Sequence, residues 1–312
     1  MQYLSKLESI NASPTQLESK LPIHALMLLM VTLVASSFPV GAAITHDLPP
    51  VVMMFLRFLA AAVFFAPYVF GKNGFTLPPA KALLRYALLS LPLVGYFWCM
   101  FEALRTTSAL NTSALYTTLP AMTAIASFFV IKQARSGRRS LGLLAGTIGA
   151  LWIVFRGDLS ALLSLQLSAG DLLFLFGCIL LSLYNAFLKK VYRGEPQEVM
   201  TFWVISFGAL ALLLVSLPSF GQVTWTEVEP STYIGVLYLA LFTTLFTFFL
   251  LQLGTQKLGP TKVAAYSYLT PVLVMIFTVV LGTEQLSWRL APGALLVMLA
   301  MWLIQTQPRA KA

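Results

Sequence analysis

Charge is what this sequence has least of. Only 10% of its 312 residues are Asp, Glu, Lys or Arg, against about 25% in a soluble domain. Cysteine and histidine are nearly missing too. Cys99 and Cys178 both fall in apolar runs and read as small core residues, which excludes a disulfide framework. His24 and His46 are the only histidines, so a His-built zinc site or a His-dependent hydrolase lacks its residues. No G-x-x-x-x-G-K-[ST] loop and no H-E-x-x-H pair occurs. A nucleotide-driven pump subunit, a zinc hydrolase and a resident cofactor therefore have no signature here. The net charge of +9 does not indicate nucleic acid, because the basic residues sit in short loops and form no patch or arm.

What the chain has instead is hydrophobicity, at 58% of residues. It is gathered into runs that match a hydrocarbon core of about 30 Å. Ten helices are predicted, at 23–44, 50–70, 83–104, 108–131, 141–155, 170–188, 199–217, 232–253, 263–282 and 290–306. In lipid a helix satisfies its own backbone groups, so the expected fold is an all-α integral membrane protein. With the N-terminus inside, sixteen Lys and Arg fall in inner segments and three (Arg105, Arg156, Arg289) in outer ones. That asymmetry predicts both termini on the cytoplasmic side. The polar Met1–Lys20 stretch is read as part of a cytoplasmic segment 1–22 and not as a signal peptide, because the apolar run follows late and is long.

The chain also repeats itself weakly. Laying 103–155 on 254–306 places Pro120 on Pro271, Ala114 on Ala265, Ile125 on Ile276, Arg138 on Arg289 and Gly142 on Gly293. A shift of 146 lays Ser36 on Ser182 and Met54 on Met200. The predicted organisation is two five-helix repeats, 23–155 and 170–306, with an outer connection at 156–169 and a tail at 307–312. Five crossings per repeat invert one half relative to the other and place a solute site between them.

Several short motifs, in order, resemble the EamA-type ten-helix exporters of the drug/metabolite transporter superfamily. They are Ser36-Ser37-Phe38-Pro39, then Pro50 followed by Arg57-Phe58, then Ala103 to Ala109 running on to Pro120. Gly170-Asp171, Tyr268-Leu269-Thr270-Pro271 and Gly282 to Ser287 complete the set. One departure is the basic Lys132-Gln133-Ala134-Arg135, where that family usually carries a Glu. The resemblance implies a bacterial inner-membrane permease, usually an exporter of amino acids, related metabolites or drugs. It also implies alternating access around a central cavity.

Arg57 is the one basic residue inside an apolar run. An Arg at the bilayer centre costs about 2.5–3.5 kcal/mol unless paired or hydrated. Its predicted roles are an anchor for a solute carboxylate, a gate, or an ion pair with Glu102. Glu102 is also weighed as a proton carrier; the small four-helix relatives use a Glu in helix 1, and helix 1 here has no acid. Asp171 is read as a cap on helix 6. Pro39, Pro92, Pro120 and Pro271 lie within predicted helices, and Pro39, Pro120 and Pro271 are candidate hinges. Phe38, Trp98, Tyr116, Tyr184, Asn185 and Tyr266 join Arg57 as candidate solute contacts, because buried Tyr and Trp tips need a polar partner. Gly142, Gly146 and Gly149 form a small-residue face suited to close helix packing and to a possible homodimer. The expected function is secondary export of small amphipathic or amino-acid-like solutes across the bilayer. An antiporter for phosphorylated sugars or nucleotide-sugars, and a membrane-embedded enzyme or sensor, are the alternatives.

Overall fold

A computed structural model describes residues 23–74, 77–133, 137–155, 158, 168–280 and 291–305. The expected N-terminal segment, most of the 156–169 connection, the 282–287 motif, Arg289 and the tail lie outside the described residues.

Among the described residues the chain is all-helical. The helices are α1 (Ile23–Ile44), α2 (Pro50–Asn73), α3 (Ala80–Ala103), α4 (Ala109–Tyr116), α5 (Leu119–Ile131), α6 (Gly137–Val154), α7 (Ala169–Val191) and α8 (Gln197–Phe220). There follow α9 (Pro230–Ala240), a π-helical segment (Leu241–Phe246), α10 (Thr247–Leu258), α11 (Pro260–Ala264), a 3₁₀ segment (Ala265–Leu269), α12 (Thr270–Val280) and α13 (Ala291–Gln305). Among the described residues six continuous stretches are long and apolar enough to cross a membrane: α1, α2, α3, α7, α8 and the run Pro230–Leu258. The remaining apolar helices are shorter.

Helix starts follow local chemistry. Proline occupies the first turn of α2, α5, α9 and α11, where a missing N–H costs no intrahelical bond. Ser168 caps α7: its hydroxyl accepts from the Asp171 N–H at 3.1 Å, and Asp171 accepts from the Ser168 N–H at 2.9 Å. This reciprocal box is the capping role expected of Asp171. Pro39 and Pro92 are carried inside unbroken α1 and α3. Pro120 and Pro271 are not interior. Each stands at the second residue of a new helix, just after a break at Thr117–Thr118 or at the 3₁₀ segment. The two breaks occupy matching places in the repeat.

The packing shows the repeat more clearly than residue identity does. α2 packs on α8, and α6 packs on α13. α3 packs on α7, while α9 and α10 pack on α1. α5 packs on α7, while α12 packs on α1. Exchanging the halves maps each of these contacts onto another contact or onto itself, which is a pseudo-two-fold relation.

The glycine face of α6 is filled within the chain. A Cβ on Gly149 would stand 2.7 Å from the Leu296 Cβ and 2.8 Å from the Gly293 carbonyl oxygen of α13. One on Gly142 would stand 2.8 Å from Ile304, and one on Gly146 would stand 2.5 Å from the Tyr268 ring. α13 and the Tyr268 ring therefore fill this face. Gly149→Leu is expected to force α6 from α13 at a cost of about 1–3 kcal/mol. A lowered unfolding midpoint of the detergent-solubilised protein is the expected reading, and an unchanged midpoint would show that α6 and α13 do not touch as described.

Candidate functional site: a cavity between the halves

A cavity of about 60 Å³ lies between the two halves. That is room for a few waters, well under the ~300–1,000 Å³ of a pocket for a drug-sized ligand. Both halves contribute. The first supplies Met30, Val31, Val34 and Ser37 of α1, Tyr96 and Phe97 of α3, and Tyr116 and Leu119 at the α4–α5 break. The second supplies Leu181 and Asn185 of α7, Thr243 of the π segment, Thr247, Phe248 and Leu251 of α10, and Val263, Ala264 and Ser267 around the 3₁₀ break. None of these lining residues carries a charge.

Of the residues predicted from sequence, Tyr116 and Asn185 line this cavity directly. Phe38 stands behind Tyr116, edge to face at 5.6 Å, and Phe174 joins the pair at 6.3 Å from Phe38. Tyr96, 6.3 Å from both Tyr116 and Phe174, completes an aromatic wall on one side. Tyr184 is fully buried and does not line the cavity. Tyr266 turns away and hydrogen-bonds the His24 ring at the start of α1. Trp98 does not belong to the site: its side chain is 38% exposed on the outside of the bundle. Residue 98 points opposite to Tyr96 and Phe97 on α3 because successive helix positions turn by about 100°.

Arg57 is 0% exposed and meets a different partner from the one expected. It makes no ion pair with Glu102. Its Nε donates to Thr244 Oγ1 at 2.5 Å, and its Nη2 donates to Thr243 Oγ1 at 2.9 Å and to the Thr243 carbonyl at 3.1 Å. The guanidinium lies 4.4 Å from the Phe97 ring centroid and 5.5 Å from that of Phe101. The neutral route wins for a geometric reason. In the π segment the backbone widens, and the Thr243 carbonyl and both threonine hydroxyls face α2. Those hydroxyls also donate to Leu239 O, at 3.0 and 2.9 Å, which holds the widened turn. Arg57 thus ties the first half to the second, directly behind the cavity wall formed by Thr243 and Phe97.

Sequence reasoning missed Ser37, Phe97, Thr243, Thr247 and Ser267. A readable signal existed for two of them: Thr243, Thr244 and Thr247 cluster within one turn of an otherwise apolar run.

The two ends of the bundle are tied by related contacts. At one end Asp47, in the five-residue turn before α2, accepts from the Thr232 hydroxyl of α9. At the other end Glu195, in the five-residue turn before α8, accepts from the Tyr86 hydroxyl of α3 at 2.9 Å. Exchanging the halves converts one contact into the other. The Glu195 end is the more charged, with Arg85 3.8 Å from Glu195 and Lys72 2.9 Å from Glu198.

Arg57→Ala would leave a void beside Thr243 and Thr244, whose hydroxyls keep Leu239 O as a partner, and would remove three hydrogen bonds to a charged donor, at about 1.5–3 kcal/mol each. A drop in unfolding midpoint of several degrees is the expected outcome in a thermal melt of purified protein. A normal midpoint with reduced solute flux would instead make Arg57 a solute contact.

Comparison with known proteins places this geometry. A transporter of Archaeoglobus fulgidus is 26% identical over 281 residues, covering 90% of this chain and 96% of that protein. The Bacillus subtilis transporter YyaM is 25% identical, covering 78% of this chain and 80% of its own. The inner membrane transporter YedA of Escherichia coli K12 is 24% identical, covering 86% and 85%. A crystal structure shares the fold with a TM-score of 0.70 at 18% identity, covering 90% of this chain and 96% of that one. The EamA-like transporter family model matches residues 21–155 and again 168–306, so this chain belongs to that family and is an integral membrane transporter.

Proposed function

We propose that the protein is a secondary exporter of small amphipathic metabolites, amino acids and related compounds among them. It crosses the membrane ten times, with both termini cytoplasmic, and its two five-helix halves are inverted. The Glu195 end then faces the cytoplasm and the Asp47 end faces out. Transport proceeds by alternating access: the Asp47–Thr232 and Glu195–Tyr86 contacts open in turn, and the cavity widens toward the open end.

The observation that carries this reading is the cavity to which both halves contribute. A site midway between pseudo-symmetric halves can face either side by rocking one half on the other. The lining mixes apolar side chains with hydroxyls and one carboxamide, which suits a solute with an apolar body and a polar head. Phosphorylated sugars and nucleotide-sugars fit less well, since no Lys or Arg lines the cavity to hold phosphate. The helix breaks preceding Pro120 and Pro271 lie at the cavity wall, where a hinge would act on it.

Counterflow of labelled amino acids in proteoliposomes, with and without a pH gradient, tests the proposal. Saturable exchange is expected, and binding without exchange would favour a sensor. Pro271→Ala is expected to slow exchange by roughly threefold or more, about 0.7 kcal/mol on the barrier, while half-saturation shifts less. Equal rates for variant and parent would reject a hinge at Pro271.

A further inference from the structure

The basic turn that opens with Lys132 and Gln133, after α5, has no part in the cavity. It lies at the Glu195 end of the bundle. Lys189, near the end of α7, reaches the Gln256 side chain near the end of α10 at 3.1 Å. Thr261 of α11 donates to the Gln133 side chain at 2.8 Å. Lys262 donates to the Gln305 carbonyl at the end of α13 at 2.8 Å, and Gln305 Nε2 donates back to the Lys262 carbonyl at 2.9 Å. Arg138, at the start of α6, lies over the Trp302 ring of α13, 5.0 Å from its centroid. The ends of α5, α10 and α13 and the start of α6 therefore meet in one layer.

The segments that build this layer carry cations and no acid. Residues 103–157 and 230–283 contain no Asp or Glu, yet they supply Lys132, Arg138, Lys257 and Lys262. The other side of the same end is different: Lys72 is 2.9 Å from Glu198, and Arg85 is 3.8 Å from Glu195. The apolar faces leading to the layer show what can bring negative charge to it. On α5, Ile125 and Phe129 are exposed, and exposed Lys132 follows at the same helical spacing. On α6, Leu141 and Leu144 are exposed, and exposed Arg138 precedes them on that face. On α13, Leu295 and Met298 are exposed, and Trp302 follows. Three apolar stripes thus end in an ammonium, a guanidinium and an indole, the residue types of a membrane–water interface. Stacking uses the guanidinium face, whereas a phosphate is held by its N–H edge, so one Arg can do both. A soluble anion would meet the cations alone. A phospholipid also covers the stripes with its chains.

We infer that Lys132 and Arg138, with Trp302 beside them, form a headgroup site for an anionic phospholipid whose acyl chains lie along the outer faces of α6 and α13. The proposed topology puts this lipid in the inner leaflet. The site is separate from the cavity between the halves and does not depend on which solute is carried. A Glu in this turn, usual in the family, would repel the phosphate. The lipid preference is therefore a property of this chain's Lys132-Gln133-Ala134-Arg135 stretch.

The test titrates the full chain, purified in an uncharged detergent, with phosphatidylglycerol and with phosphatidylcholine of the same acyl chains. Bound lipid is counted by native mass spectrometry. Phosphatidylglycerol is expected to bind at least tenfold more tightly, since each basic residue near the headgroup contributes about fivefold. Lys132→Glu is expected to weaken phosphatidylglycerol at least fivefold and to leave phosphatidylcholine unchanged. Lys81→Glu makes the same charge change at an exposed position at the start of α3, and is expected to alter neither lipid by more than about twofold. The double variant Lys132→Gln, Arg138→Gln is expected to bind the two lipids alike. Lys132 is exposed, so the single variant keeps the test decisive if the double variant does not fold. Equal binding of both lipids by the parent would overturn the inference. An equal loss in Lys81→Glu would do so too, because it would mean attraction by net charge alone. Glycerol phosphate binding as tightly as phosphatidylglycerol would overturn it as well, by making the site one for a soluble anion.

Discussion

A polar group taken into the apolar interior of this bundle can be satisfied only by another part of the same bundle. That constraint shapes the structure around Arg57. Its charge is fully buried; Nε and Nη2 are met by two threonines and one carbonyl, and the guanidinium by two aromatic faces, while Nη1 has no hydrogen-bond partner among the described residues. To present those oxygens, the run Pro230–Leu258 widens into a π turn that a uniformly α-helical span would not need. The cation and the irregular backbone are therefore one feature. Because the cavity wall includes Thr243 and Phe97, both partners of Arg57, the shape of the cavity depends on it.

The same constraint explains where the chain departs from regular helix elsewhere. The breaks before Pro120 and Pro271 expose backbone and hydroxyls, and such irregularity is tolerated where it lines a cavity. Both breaks border the cavity, through Tyr116 and Leu119 on one side and Val263, Ala264 and Ser267 on the other. By contrast the unbroken contact of α6 with α13 is made by backbone approach over glycine, with no polar group needing a partner.

Pseudo-symmetry gives each half the other's contacts but not its chemistry. The Asp47 and Glu195 contacts occupy equivalent places, yet charge gathers at the Glu195 end through Arg85, Lys72 and Glu198. The first half gives the cavity Tyr96, Phe97 and Tyr116, and the second gives it Asn185, Thr243, Thr247 and Ser267.

The all-helical character, the long apolar helices and the family were legible in the amino-acid sequence, because apolar runs of membrane length and proline and capping signals act over a few residues. The box of Ser168 and Asp171 is such a local signal, and it formed as read. Membership of the site was only partly legible. Tyr116 and Asn185 were found, while Trp98 pointed outward and Arg57 chose threonines over Glu102. Those outcomes belong to the tertiary structure, because which face of a helix looks inward, and which oxygen lies within about 3 Å of a buried nitrogen, depend on how distant segments are turned against each other. Composition and spacing carry the length and polarity of each span but not its rotation, and rotation is what placed the cavity.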